Sequence, residues 1–248
     1  MKQLIVKMEV TFDSKYKLHS YNARFLQKIT DSPRYVSLFN VYNWTLGEKE
    51  SELSQIYQSS ILLCDSYWIS KFIRWRNKKF IGIRGADLLR SAFSKSFDGV
   101  HLFVGGNELS FEKISYSIED EKLEGIKVCH LPLPPNVDLV EAVKVTVEFL
   151  EKTVVDIVWV VLGTPKQDFV GNEIYKISGK PVIGIGAAFD YVSTKSLEAP
   201  LIIRKIGMEW LFRFLIEPKR LFQRYADSLK FVFSRTIVKI KRGLHERF

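Results

Sequence analysis

The sequence is poor in the residues that would commit it to a disulfide, a metal or a membrane span. It has two cysteines, Cys64 and Cys129, inside the apolar runs ILLCD and KVCHL and spaced neither as a redox pair nor as a zinc site. They read as buried, reduced thiols of a cytosolic protein. The four histidines (His19, His101, His130 and His245) form no ligand cluster, and no G-x-S-x-G hydrolase elbow occurs. The longest apolar runs, VDIVWVVLG and PVIGIGAAF, fall well short of the roughly 20 residues that cross a bilayer. No apolar signal segment follows Met1-Lys2. A soluble or peripheral protein, not exported by a signal peptide, is expected.

Hydrophobic residues make up 46% of the 248 positions, which excludes disorder and allows one globular core with an appendage. Lys and Arg number 37 against 28 acids, a net charge of +9 that points to an anionic partner. Residues 1–203 carry 25 basic and 24 acidic side chains, whereas residues 204–248 carry 12 and 4. The excess therefore lies in the last fifth of the chain. No DNA- or RNA-binding motif accompanies it, so a nucleic-acid partner is not expected.

The apolar runs are short blocks separated by helix-length amphipathic stretches, the pattern of a parallel sheet covered on both faces. Strands are predicted near residues 35–42, 60–64, 100–104, 127–131, 156–162 and 181–187, with an edge strand or hairpin arm over 4–10. Asp138 with Glu141 signals a helix start, followed by apolar positions at helical spacing (Leu139, Val140, Val143, Val147, Leu150). These features predict a Rossmann-like α/β core over residues 1–196. From residue 197, Ala199-Pro200 opens an amphipathic run that Pro218 ends, and aromatics then alternate with cations. A basic, helical, membrane-associating appendage is expected over 197–248.

Ligands of open α/β sheets bind at the carboxyl ends of the strands, and four such ends carry suggestive residues. Gly105-Gly106 would let backbone N–H groups approach a phosphate, although alone it reads as a plain tight turn. Gly163-Thr164-Pro165-Lys166-Gln167-Asp168 presents a cation and an amide after a buried strand. Gly184-Ile185-Gly186 with Asp190 is either a close-approach turn or a small-residue packing contact. Asp65 ends an apolar strand, where desolvation would raise its pKa toward general-base duty; the plainer role is capping the next helix. Glu119-Asp120-Glu121 lies in a polar, loop-like stretch and is assigned to solvent, so no metal site is predicted.

In this order, the pieces resemble the WecG/TagA/CpsF family, glycosyltransferase family 26. The strongest match is C-terminal: Phe189-Asp190, Ala199-Pro200, Gly207-Met208-Glu209-Trp210-Leu211-Phe212-Arg213, Glu217-Pro218-Lys219-Arg220-Leu221 and Arg224-Tyr225. They look like the family's FDF, RAP, GLEWLYRL, EPRRL and RY. Upstream, residues 163–168 look like its G-x-P-K-Q-E loop, Leu102 to Gly106 like its glycine turn, and Arg84-Gly85-Ala86-Asp87-Leu88 like R-x-x-G-x-D-L. The resemblance implies an inverting, metal-independent and cofactor-free transfer from a UDP-sugar, often of N-acetylmannosamine type, to a polyprenyl-diphosphate-linked saccharide. It implies work at the inner face of the cell membrane, in teichoic acid, capsule or related polysaccharide synthesis, against an anionic membrane surface. A homo-oligomer is left open.

By the same resemblance Asp65 is the base and Asn40 positions a sugar. Gly105, Gly106, Gly163, Pro165, Lys166, Gln167 and Asp190 hold the donor. Arg213, Arg220 and Arg224 meet its diphosphate, and one continuous helix would align them on one face. Four positions depart from the family pattern: Leu38 for threonine, Ser66 for glycine, Asp168 for glutamate and Glu198 for arginine. They imply either altered specificity or a catalytically impaired member that binds nucleotide or lipid-linked sugar.

Overall fold

In a computed structural model, residues 9–93, 98–120, 123, 125–134, 136–194 and 198–245 are described. The predicted strand residues 4–8 and Glu121 lie outside them. Among the described residues, β1 (Glu9–Phe12), β2 (Tyr16–His19), β3 (Tyr35–Phe39), β4 (Ile61–Cys64), β5 (Gly99–Gly105), β6 (Ile126–Leu131), β7 (Ile157–Val161) and β8 (Val182–Gly184) form one sheet. Its order is β1-β2-β4-β3-β8-β7-β5-β6. Only β1 and β2 pair antiparallel. Asp13 and Ser14 turn that hairpin at φ of 51° and 59°, a mirror-image turn that suits the right-handed twist of its strands.

The parallel strands end on one edge, so every candidate loop named above opens on that side. Strands β3 and β4 are buried at every position, as expected for strands covered on both faces. One face packs against α1 (Phe25–Asp31), α5 (Gly85–Ala92), α6 (Glu108–Asp120) and α9 (Ala188–Ser193). The other packs against α2 (Val41–Lys49), α3 (Ser51–Ser59), α4 (Tyr67–Arg76), α7 (Leu139–Lys152) and α8 (Lys166–Ser178). Three further helices follow: α10 (Leu201–Lys205), α11 (Glu209–Ile216) and α12 (Pro218–His245).

Local chemistry explains where the elements begin. Asp138 caps α7 by accepting from the backbone of Val140 and Glu141, as its sequence signal predicts. The strand predicted over 35–42 stops at Phe39 because Asn40 caps α2, accepting from Tyr42 and Asn43 while the Asn43 side chain bonds back to Asn40 N–H. Glu119 and Asp120 end α6 instead of lying in a loop. Pro218 is the first residue of α12, where a missing N–H costs nothing, and Glu217 separates it from α11. The break falls at Pro218, where the sequence places it, so Arg213 lies on α11 and Arg220 and Arg224 on α12, and no continuous helix aligns the three.

The last helices are packed onto the sheet domain. Phe231 meets Trp44 edge to face with centroids 4.9 Å apart, Arg235 pairs with Asp13 and Glu48, and Lys49 reaches Asp227 at 3.8 Å. Arg84 Nε binds Glu209 at 2.8 Å.

Candidate functional site

A cleft of about 1250 Å³ opens at the carboxyl ends of β3 and β4, large enough for a nucleotide-sized ligand and more. Asn40 follows β3, and Asp65 follows the neighbouring β4, with Asp65 N–H bonded to Phe39 O at 2.9 Å. Both side chains line the cleft, as do Arg84, Arg213, Arg220 and Arg224.

Asp65 does not cap the helix after it. That task falls to Ser66, whose hydroxyl accepts from Ile69 N–H of α4. The Asp65 carboxylate instead takes one backbone N–H, from Gly85 at 3.2 Å, and is otherwise directed at the cleft. Burial pushes its pKa up to about 6, against the opposing pull of Arg213. A carboxylate of that basicity accepts a hydroxyl proton far better than an ordinary aspartate does.

The three arginines differ in what they touch. Arg213 of α11 pairs with Glu209 and lies 4.3 Å over the Tyr191 ring. Arg220 pairs with Glu217 and is exposed. Among the described residues Arg224 forms no ion pair; it lies 4.5 Å over the Tyr42 ring, and its buried Nε has no hydrogen-bond partner. Burial lowers its pKa, the sign of a cation short of compensating charge.

Asn40 is only half available. Its Oδ1 is committed to the α2 cap, which leaves the amide Nδ2 as its remaining side-chain polar group. Cys64 also lines the cleft, but burial pushes its thiol up to about 12 and leaves it inert near neutrality.

The structure does not bring the remaining predicted residues into the large cleft. Gly105 and Gly106 turn at φ of 78° and 82°, and a Cβ on Gly106 would come within 2.9 Å of Phe189. Close packing thus demands glycine there, whatever else the turn does. Gly163, Pro165 and Lys166 lie at the start of α8, and the buried Gln167 donates to Thr164 at 3.3 Å. Asp190 is held by Asn107 and Ser110 at 2.9 Å each and borders a separate small opening with Ala187, Arg213 and Arg220. Since Ala187, Tyr191, Arg213 and Arg220 line both openings, they form the wall between the two groups.

The four departures fall in different places. Ser66 alone lines the cleft, and there it caps α4. Leu38 is in the core beneath Gly85. Asp168 is fully buried, accepting from Tyr35 at 2.9 Å and Ser37 at 2.8 Å. Glu198 gathers Arg84 at 2.9 Å, Arg90 at 2.6 Å and Arg204 at 2.9 Å, and Arg84 in turn holds Glu209 beside Arg213. Sequence reading missed Glu209 and Arg84 as members of the site. Both stand in motifs that carry the family resemblance, which was the available signal.

The family model of the glycosyl transferase WecG/TagA/CpsF family matches residues 8–245. The chain belongs to that family. The WecG/TagA/CpsF match thus spans the sheet, the cleft and the helices that close it. Among the described residues no helix is long and apolar enough to cross a membrane, and no group of three or more His, Cys, Asp or Glu side chains could hold a metal.

Proposed function

We propose that this glycosyltransferase moves a sugar, of N-acetylmannosamine type or another hexose, from a UDP-sugar to a polyprenyl-diphosphate-linked saccharide, with inversion and without a metal. The acceptor hydroxyl attacks the anomeric carbon while Asp65 takes its proton. The bond from that carbon to the diphosphate oxygen breaks, and UDP leaves with the electron pair. The observation that carries this reading is Arg224, a cation with no carboxylate partner among the described residues, in the same cleft as a carboxylate with a pKa of about 6. Arg213 and Arg220 join it around the diphosphate, exchanging their pairing with Glu209 and Glu217 for phosphate oxygens. Asn40 donates from Nδ2 to a sugar hydroxyl.

The Gly105-Gly106 turn, residues 163–167 and Asp190 would take the nucleoside end. To reach them a donor has to pass the wall at Ala187 and the junction of α11 and α12, so the reading calls for movement of that junction. The departures at Leu38, Asp168 and Glu198 are absorbed by core packing and ion pairs, which favours catalysis over a purely binding role.

The test is UDP release from a panel of UDP-sugars with a polyprenyl-diphosphate saccharide in lipid vesicles. Turnover with one donor, lowered about 10²–10⁴-fold in Asp65→Asn, is expected. No turnover in the parent chain with any donor would instead favour the binding role.

A further inference from the structure

We infer that α4, in the sheet domain and not in the C-terminal helices, is a lipid-contact element that seats the mouth of the Asp65 cleft on an anionic membrane surface. The helix is turned inside out relative to its composition. It buries only Ile69 and Ile73, one turn apart. Its four aromatics, Tyr67, Trp68, Phe72 and Trp75, are 40, 50, 54 and 77% exposed. Soluble proteins rarely leave so much contiguous apolar surface on one short helix without a partner.

The charge around these rings names the partner. From Tyr67 to Ile83 the chain has five cations and no acid, whereas the rest of residues 1–203 has 20 basic and 24 acidic side chains. Averaging over the whole domain concealed this stretch. Lys71 lies 5.7 and 5.3 Å from the Tyr67 and Trp68 centroids, and Arg76 lies 5.8 and 6.0 Å from those of Phe72 and Trp75. Tryptophan and tyrosine interleaved with lysine and arginine suit the headgroup layer, where rings reach the acyl boundary and cations meet anionic lipid. A second copy of the chain is a poorer fit, because a two-fold contact through α4 would set like charges against each other.

Position gives the contact a purpose. Trp68 Nε1 donates to Gly207 O at 3.2 Å, where φ is 76° and any Cβ would overlap the Tyr67 ring, so α4 is keyed to the turn before α11. Trp68, Trp75 and Trp210 all line the cleft, and Ile206 beside that turn is also exposed. A bilayer against α4 would therefore meet the opening through which a lipid-linked acceptor arrives. That purpose rests on the proposed reaction; the lipid contact itself does not.

The experiment uses the full chain and vesicles of phosphatidylcholine with phosphatidylglycerol carrying brominated acyl chains, which quench nearby tryptophan. Expected is quenching in the parent chain that Trp75→Phe reduces, Trp68 keeping part of it, and roughly tenfold weaker flotation of Phe72→Ser/Trp75→Ser. Quenching retained in full by Trp75→Phe overturns the inference even if the double variant folds poorly. So does a double variant that floats like the parent while light scattering shows a dimer split into monomers, which identifies a second copy as the occupant. Failure of sugar transfer would refute the proposed reaction and leave the quenching result unchanged.

Discussion

Asp65 and Ser66 divide two tasks that one aspartate after a strand would otherwise combine. Because the serine caps α4, the carboxylate carries its charge in a poorly solvated place. Since the raised pKa belongs to the folded state, this carboxyl costs the fold nothing below its ordinary value of 3.8, costs more as pH rises from there to about 6, and costs the full amount above that. Asp65→Asn should then be more stable than the parent at pH 8, by about 1–2 kcal/mol after allowance for solvent screening. That advantage should shrink as pH falls below 6 and vanish only below the carboxyl's ordinary value of 3.8, which thermal melts at pH 8 and at about pH 3.5 would check. The same titration predicts that kcat rises through pH 6 as the base ionises. A flat profile between pH 5 and 8 would exclude Asp65 as the base. Asn40 separates its roles differently: Asn40→Asp keeps the oxygen that caps α2 and loses the donor, so it should lose turnover with little loss of stability. Asn40→Ala should lose both, at about 1 kcal/mol for the cap, which paired urea melts and turnover assays would separate.

At the scale of elements, the departures from the family pattern become consequences of packing. Their places could not be read from sequence, because Leu38, Asp168 and Glu198 sit in familiar motifs whose surroundings come from distant segments. Asp168 is answered by Tyr35 and Ser37, over 130 positions earlier in the chain. Glu198 is answered by Arg84 and Arg90 on α5 and its cap. Restoring the family's arginine with Glu198→Arg should set it against three arginines and cost about 2–4 kcal/mol in a urea melt. Ser66→Gly, also a return to the family residue, should cost only a few tenths of a kcal/mol and leave kcat within about twofold. A large loss of turnover there would mean that Ser66 has a chemical role as well as a capping one. The positions of β3 to β8, in contrast, were approached closely from the pattern of short apolar blocks, because strands buried on both faces have few other spellings, whereas the short β2 at Tyr16–His19 gave no such block. The breaks at Asn40 and Pro218 were harder: one needed the reciprocal cap with Asn43, the other a decision between ending a helix and starting one.

Over the whole molecule, the charge partition located the basic end of the chain correctly and missed the basic stretch around α4, since acids elsewhere in residues 1–203 cancel it. The Asp65 and Arg213 to Arg224 motifs were legible as candidates. That Arg224, of these three, has no carboxylate partner among the described residues was not, because pairing depends on where Glu209 and Glu217 come to rest. If the last helix also binds membrane, deleting residues 226–248 should reduce flotation on anionic vesicles; equal flotation would remove α12 from that role and leave α4. The deletion would act on more than lipid. Helix α12 is one piece about 40 Å long, with Arg220 and Arg224 near its start and Phe231 and Arg235 fixed on Trp44 and the turn of the first hairpin. It is a strut joined to α11 through Glu217. On the proposed reaction the hairpin, at the far edge of the sheet and with no described side chain lining the cleft, would hold the angle at which Arg220 and Arg224 meet the diphosphate, and wear at Asp13 would be felt as lost aim.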